Sequence, residues 1–504
     1  MLVALGLVVV VGGAAALASD DGLQYPDEWD PRVEELAAIT EDLRGLDFEH
    51  PVSVYFLTED EYRDLATAAD QGEPSEAERE EAAKQVAMMR AIGVVEGEFD
   101  LLESSDAIAD SGTLAYYDPI TDVINVRGDE LTAGLRVTLV HELTHALQDQ
   151  HFGVESLVQN PDSEASAAAR AVIEGDAANV EQAYVETELT EEEVAEYEEE
   201  NAGSIEESEV DLGDVPAFLT TSFSVPYFFG PTFVALFGTD IDSGSLDAEL
   251  VDGLLDRTPL ATGHLFDPLA QLDVASVATV DSPELGSGEA FDEGTFGAVS
   301  LFGMLAEHLD PVAAMDAVDG WRGDAYRADT AESDESGQDE DEDDADGDDA
   351  GSDDSGDDES ADSAAASDSP MCIAADIVMA TEDDAAELRT ALDAWRSAMP
   401  AEAGAEVDGE GQTVSFRSCD PGAEVTIGVE DAFADALSFP VARLQIAYGQ
   451  VLGGVELETS ICVGDRVVRE FDLEDLASEE LTPDLEERLT EAVTSALREC
   501  AEPR

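Results

Sequence analysis

Between residues 135 and 150, apolar side chains recur at Leu135, Val137, Leu139, Val140, Leu143, Ala146 and Leu147 with no proline or glycine among them, and this spacing predicts a helix. A second helix is predicted over 163–187, where small residues (Ala165, Ala167, Ala168, Ala169, Ala171, Ala177, Ala178) suit close packing against the first. Upstream, 52–56 is strand-like, and Ser75 with Glu78 forms a capping-box signature for a helix ending near Gly93. Residues 116–126 read as two short strands about an Asp118-Pro119 turn. Downstream, 188–212 is acidic, helix-prone to about Asn201 and loop-like after it, which predicts a solvated connector. Residues 225–238 carry Tyr227, Phe228, Phe229, Phe233 and Phe237 and predict a core helix too short to span a bilayer. A buried helix over 295–308, a strand over 373–379 and a helix over 383–397 complete the pattern.

Helices and short strands in this mixture predict an α+β protein, and 504 residues exceed one ordinary domain. Residues 2–18 are continuously apolar and end in Ala16-Leu17-Ala18, so 1–19 predicts a signal peptide or an N-terminal membrane tether and an exported body. Residues 328–369 hold almost nothing apolar beyond alanine, which predicts a disordered acidic linker or an insertion within one hairpin. Cys372, Cys419, Cys462 and Cys500 all follow it, without a CxxC pair. An even count in an exported chain predicts two disulfides in an α+β region over 370–504, with three pairings open.

Charge changes the picture further. The chain has 121 acidic residues against 21 basic ones. Residues 329–368 account for only 20 of the acids, so the remainder still carries a net of −80. Near 1 M salt the Debye length falls to about 3 Å and such repulsion is screened, which predicts a halophilic protein. With no basic patch, nucleic-acid binding is excluded.

The candidate chemistry lies in the first predicted helix, at His141-Glu142-Leu143-Thr144-His145. One helical turn brings residues i and i+4 side by side, so both imidazoles can take two positions on one tetrahedral zinc. Glu142 lies about 100° round the helix, placed to act as general base toward water. A third ligand must come from elsewhere, and two residues compete. His151 stands where HExxHxxGxxH enzymes carry a third histidine, but that pattern needs glycine at 148, where this chain has Gln148. The rival is Glu174, in the second predicted helix.

At these residues the chain resembles the gluzincin zinc metallopeptidases, in which HExxH is followed by a glutamate from a second helix. More narrowly, HELTHALQDQHF over 141–152 followed by EGDA over 174–177 resembles a group of secreted metallopeptidase-like proteins that includes haloarchaeal surface proteins. Ala115-Tyr116-Tyr117-Asp118-Pro119, Pro226-Tyr227-Phe228-Phe229-Gly230 and Gly320-Trp321-Arg322-Gly323-Asp324-Ala325-Tyr326 fit the same group, so the likeness covers about residues 50–327. It implies a zincin-like domain over 20–327, with Zn2+ held by His141, His145 and Glu174 and Glu142 as base. It also implies a secreted or surface peptidase whose peptide or protein substrate adds as a strand beside the small sheet. Asp176 is expected to orient a ligand histidine, and Tyr227 or His264 to stabilise the oxyanion. The segment from Pro259 to Pro268 departs from the group's pattern, lacking a glutamate and displacing the histidine to His264. That departure motivates an alternative, a surface binding or structural protein with the same fold and little catalysis.

Overall fold

The computed structural model describes residues 25–67, 74–111, 114–160, 163–240, 243–257, 261–270, 277–285, 290–330, 370–476 and 482–501. The apolar leader and nearly all of the acidic run lie outside them. Helix dominates and the strands form three small sheets, so the fold is α+β.

The first sheet has the order β1-β3-β2, with β1 (Ser53–Leu57) parallel to β3 (Val123–Arg127) and β2 (Ala115–Asp118) antiparallel to it. The predicted turn is present: the Asp118 carboxylate takes the Ile120 N–H and the Thr121 hydroxyl, a local bond that reverses the chain. Over this sheet lies the motif helix, Ala133–Phe152, whose N-terminus is capped by Thr132 accepting from the Leu135 N–H. Its Leu135, Val137, Leu139, Val140, Leu143 and Ala146 pack on Ala115, Ile124 and Val126 of the sheet and on Leu36 and Ala37 of helix Glu34–Arg44. Each such aliphatic side chain gains about 1.5–3 kcal/mol on full burial, which anchors the motif helix to the sheet.

The return helix, Ser163–Thr187, packs on the other side of the motif helix and crosses the aromatic helix, Ala217–Gly238. Gly175 and Gly230 make that crossing possible. A Cβ on Gly175 would stand 2.2 Å from the Gly230 carbonyl carbon, and one on Gly230 would stand 2.2 Å from the Ala171 oxygen. The aromatic helix starts well before Val225 and runs through both Pro226 and Pro231. Burial of Phe218, Leu219, Phe229, Phe233 and Val234 in the large core outweighs the two missing N–H donors.

The expected break at Asn201 does not occur. One helix, Glu191–Asp211, continues past it, opened by a Thr190–Glu193 capping box. It is solvated along most of its length, as expected, yet tied to the motif helix: Glu193 pairs with Arg136 at 2.7 Å and Glu200 accepts the Gly134 N–H at 2.7 Å. The acidic helix thus satisfies an orphan donor in the first turn of the motif helix.

Strands β4 (Thr239–Asp240) and β5 (Ser245–Leu246) form a minimal ladder. The remaining five, β6 (Asp292–Gly294), β7 (Trp321–Thr330), β8 (Met371–Met379), β9 (Glu406–Glu410) and β10 (Thr413–Cys419), form an antiparallel sheet in the order β6-β7-β8-β10-β9. Thr330 faces Met371, so the strands on either side of the acidic run are neighbours in one sheet. The large core accordingly draws on both sides of that run, from Ala82 to Val468. Helix Glu76–Ile92 shows both bonds of its Ser75–Glu78 capping box, and Trp395 of helix Glu382–Ala398 donates its indole N–H to the Ile92 carbonyl. The helix expected over 295–308 is shorter, Ala298–Ala306. Gly297, at φ 87°, breaks the chain before it, where the Glu164 carboxylate occupies the space a Cβ would need.

Two disulfides resolve the open pairings. Cys372–Cys419 joins facing positions of β8 and β10, and Cys462–Cys500 joins helices Leu457–Val468 and Pro483–Cys500. Among the described residues no helix is long and apolar enough to cross a membrane.

Candidate metal centre

His141 and His145 stand one turn apart on the motif helix, ring centroids 4.7 Å apart. The crossing at Gly175 sets the neighbouring Glu174 against them, with Oε2 at 3.2 Å from His141 Nε2 and 3.3 Å from His145 Nε2. Charge-assisted hydrogen bonds are shorter, about 2.7–2.9 Å. Four ligands at about 2.0–2.1 Å from a tetrahedral ion lie about 3.3 Å from one another, which matches the observed separations. The ligand atoms of the three residues all fall within 4.8 Å of one another, so this group could hold a metal ion.

The second ring nitrogens are held from outside this group. His141 Nδ1 lies 3.0 Å from Glu181 Oε2, and Glu181 is itself held by the Tyr197 hydroxyl from the acidic helix. His145 Nδ1 lies 2.9 Å from Gln148 Oε1. The Gln148 amide cannot turn over, because its Nε2 donates both to the Ile173 carbonyl and to Asp176 Oδ2, each at 2.9 Å. Its oxygen must therefore face Nδ1, the proton must sit on Nδ1, and the Nε2 lone pair is left for a metal. Asp176 acts one bond further out than expected: it steadies Gln148 rather than the histidine. Arg44 in turn holds Asp176 at 2.8 Å and Asp252 at 2.7 Å, and both Arg44 and Asp176 are buried.

Burial by itself would push the His141 and His145 imidazoles down, but the Glu174 carboxylate, joined at His141 by Glu181, outweighs it and holds both above the ordinary histidine value. Glu174 is correspondingly held well below the carboxylate range by the two histidines, against the effect of its burial. Glu142 is buried, and its Oε2 accepts the Tyr117 N–H of β2 at 2.7 Å. Burial raises its pKa, although the nearby histidines pull the other way. Tyr227 is half exposed, yet its hydroxyl end is sunk beside Glu174. Desolvation there, with the charges of Glu174 and Glu142, keeps it neutral.

Two sequence candidates fall elsewhere. His151 is exposed, its Nε2 bonded to the Asp47 carbonyl at 2.9 Å, because the helix continues past Gln148 and turns the ring away from the ligand group. His264 is buried in the large core, where Nδ1 accepts the Ala261 N–H at 3.0 Å and its charged neighbours are Asp267 and Arg322. Sequence reasoning missed Gln148, Glu181 and Tyr117. Helical spacing carries a signal for two of them: Gln148 is three residues from His145, and Glu181 is seven from Glu174 on the same helix face.

Comparison with protein-family models, curated proteins and solved structures finds no match for this chain.

Proposed function

We propose that this protein is an extracellular zinc-dependent peptidase with a zincin-like core of the gluzincin kind. The observation that carries the reading is the convergence of two imidazole Nε2 atoms on one oxygen of Glu174, with the Glu142 carboxylate on the adjoining helix position. Zinc bound there supplies a Lewis acid for a peptide carbonyl and for water. Glu142, steadied by the Tyr117 N–H and raised in proton affinity by burial, takes a proton from the attacking water and returns it to the leaving amine. The neutral Tyr227 hydroxyl supplies a donor for the carbonyl oxygen as its charge develops. Strand β2 ends its sheet beside Glu142, and an extended peptide adds along that edge. The two disulfides agree with export.

The experiment is zinc per chain and proteolysis in molar KCl. One zinc is expected in the wild type, retained in Glu142→Gln and His151→Ala and lost in Glu174→Ala, with hydrolysis abolished in Glu142→Gln. Unchanged cleavage by Glu142→Gln sinks the reading. A second reading, a surface binding protein with the same fold, is favoured by the position of His264, which leaves the centre without a histidine donor for the oxyanion. It predicts bound zinc without turnover of any peptide.

A further inference from the structure

Arg170 lies four residues before Glu174 on the return helix, so the two side chains share one helix face. It is half-buried and feels the charge of Glu174. Among the described residues it nonetheless has neither a hydrogen bond nor an ion pair. In a chain with 121 acidic residues and 21 basic ones this is unexpected. Other arginines with little exposure are each joined to a carboxylate: Arg44 to Asp176, Arg90 to Asp420, Arg127 to Asp110 and Arg443 to Asp319. Glu174 makes no ion pair with Arg170, and its Oε2 is turned to the two histidines. Its guanidinium still meets water, and a carboxylate brought to it can be bound in a planar, bidentate fork with no competing partner to displace.

We propose that Arg170 determines specificity at this centre by receiving a carboxylate of the substrate, which makes the substrate class acidic peptides. The carboxylate comes either from an aspartate or glutamate side chain beside the scissile bond or from a free C-terminus. A neutral carbonyl alone would leave the guanidinium's charge uncompensated. This inference rests on the peptidase reading for its substrate, but not for its test.

Three N-acetylated peptides separate the sources: one with glutamate and an amidated C-terminus, one with glutamine in that place and an amidated C-terminus, and one with glutamine and a free C-terminus. Binding is measured by calorimetry on the zinc-loaded Glu142→Gln chain in molar KCl, and cleavage on the wild type by mass spectrometry. One carboxylate-bearing peptide is expected to bind at least about tenfold tighter than the neutral one, and its identity names the source. That preference is expected to vanish in Arg170→Gln and to survive in part in Arg170→Lys. Equal binding of all three peptides, absence of binding, or a preference that persists in Arg170→Gln overturns the proposal. The wild-type comparison needs no folded Arg170 variant. Preferential binding without cleavage keeps the role of Arg170 and removes the peptidase reading, whereas equal cleavage of all three keeps the reading and removes the role.

Discussion

Around the five-stranded sheet, several buried polar groups close chiefly on backbone amides and carbonyls. Asp324 accepts from the Phe296 and Gly297 amides and from the Trp321 indole. Glu307 accepts from the amides of Ala432 and Phe433, His264 accepts from Ala261, and His308 donates to the Gly93 carbonyl at 2.8 Å. In the helices beside the small sheet the bonding is handed outward, from His145 to Gln148 to Asp176 to Arg44, and from His141 to Glu181. There the inner atoms, both Nε2 and Glu174 Oε2, are left facing one point. The same residue type consequently titrates in opposite directions. Burial holds His264 and His308 below the ordinary value, while carboxylates hold His141 and His145 above it. Where the protein closes its buried polar groups on backbone it is building the fold; where it backs them from outside it is presenting a site.

Four perturbations test this contrast, in decreasing order of effect. Asp176→Ala leaves the buried Arg44 guanidinium with Asp252 as its one carboxylate and releases Gln148, and is expected to lower unfolding stability by about 3 kcal/mol in molar KCl, with weaker metal binding. Stability within a few tenths of a kcal/mol of wild type would show that the outer part of the chain of bonds carries nothing. Gln148→Leu removes the acceptor on His145 Nδ1 and is expected to weaken metal binding about 10–100-fold by chelator competition. An affinity equal to wild type would place Gln148 among the purely structural groups. Asp324→Ala is expected to cost about 1–3 kcal/mol while leaving metal affinity unchanged, since three donors lose their acceptor in the other region. A coupled loss of metal would mean that the two regions are not independent.

The smallest effect is one of pH. His264 and His308 titrate at 6.5 in the unfolded chain and lower in the folded one. The unfolded state therefore takes up protons first: this contribution is intact above pH 6.5 and is lost as pH falls through the lowered folded values. Replacing both with glutamine should flatten the fall in thermal midpoint below pH 6.5, and an unaltered slope would assign the acid sensitivity elsewhere.

Local signals in the chain settled a good deal. The period of Leu135, Leu139, Leu143 and Ala146 placed the motif helix, and the four-residue spacing of His141 and His145 put both rings on one face, because helical geometry depends only on neighbours in sequence. The Ser75–Glu78 box and the strand pair at 115–127 were legible for the same reason. Local rules failed where distant residues supplied the deciding free energy: the helix through Pro226 and Pro231 is held by core burial. Gln148 in place of glycine and the resemblance already favoured Glu174 over His151, but the tertiary structure brought it beside the two histidines, through the approach of the return helix and its crossing at Gly175 and Gly230. That structure alone joined Tyr117 to Glu142 and Arg44 to Asp176, 25 and 132 residues apart. Such contacts are chosen by how whole surfaces pack, and no periodicity within a single segment encodes them.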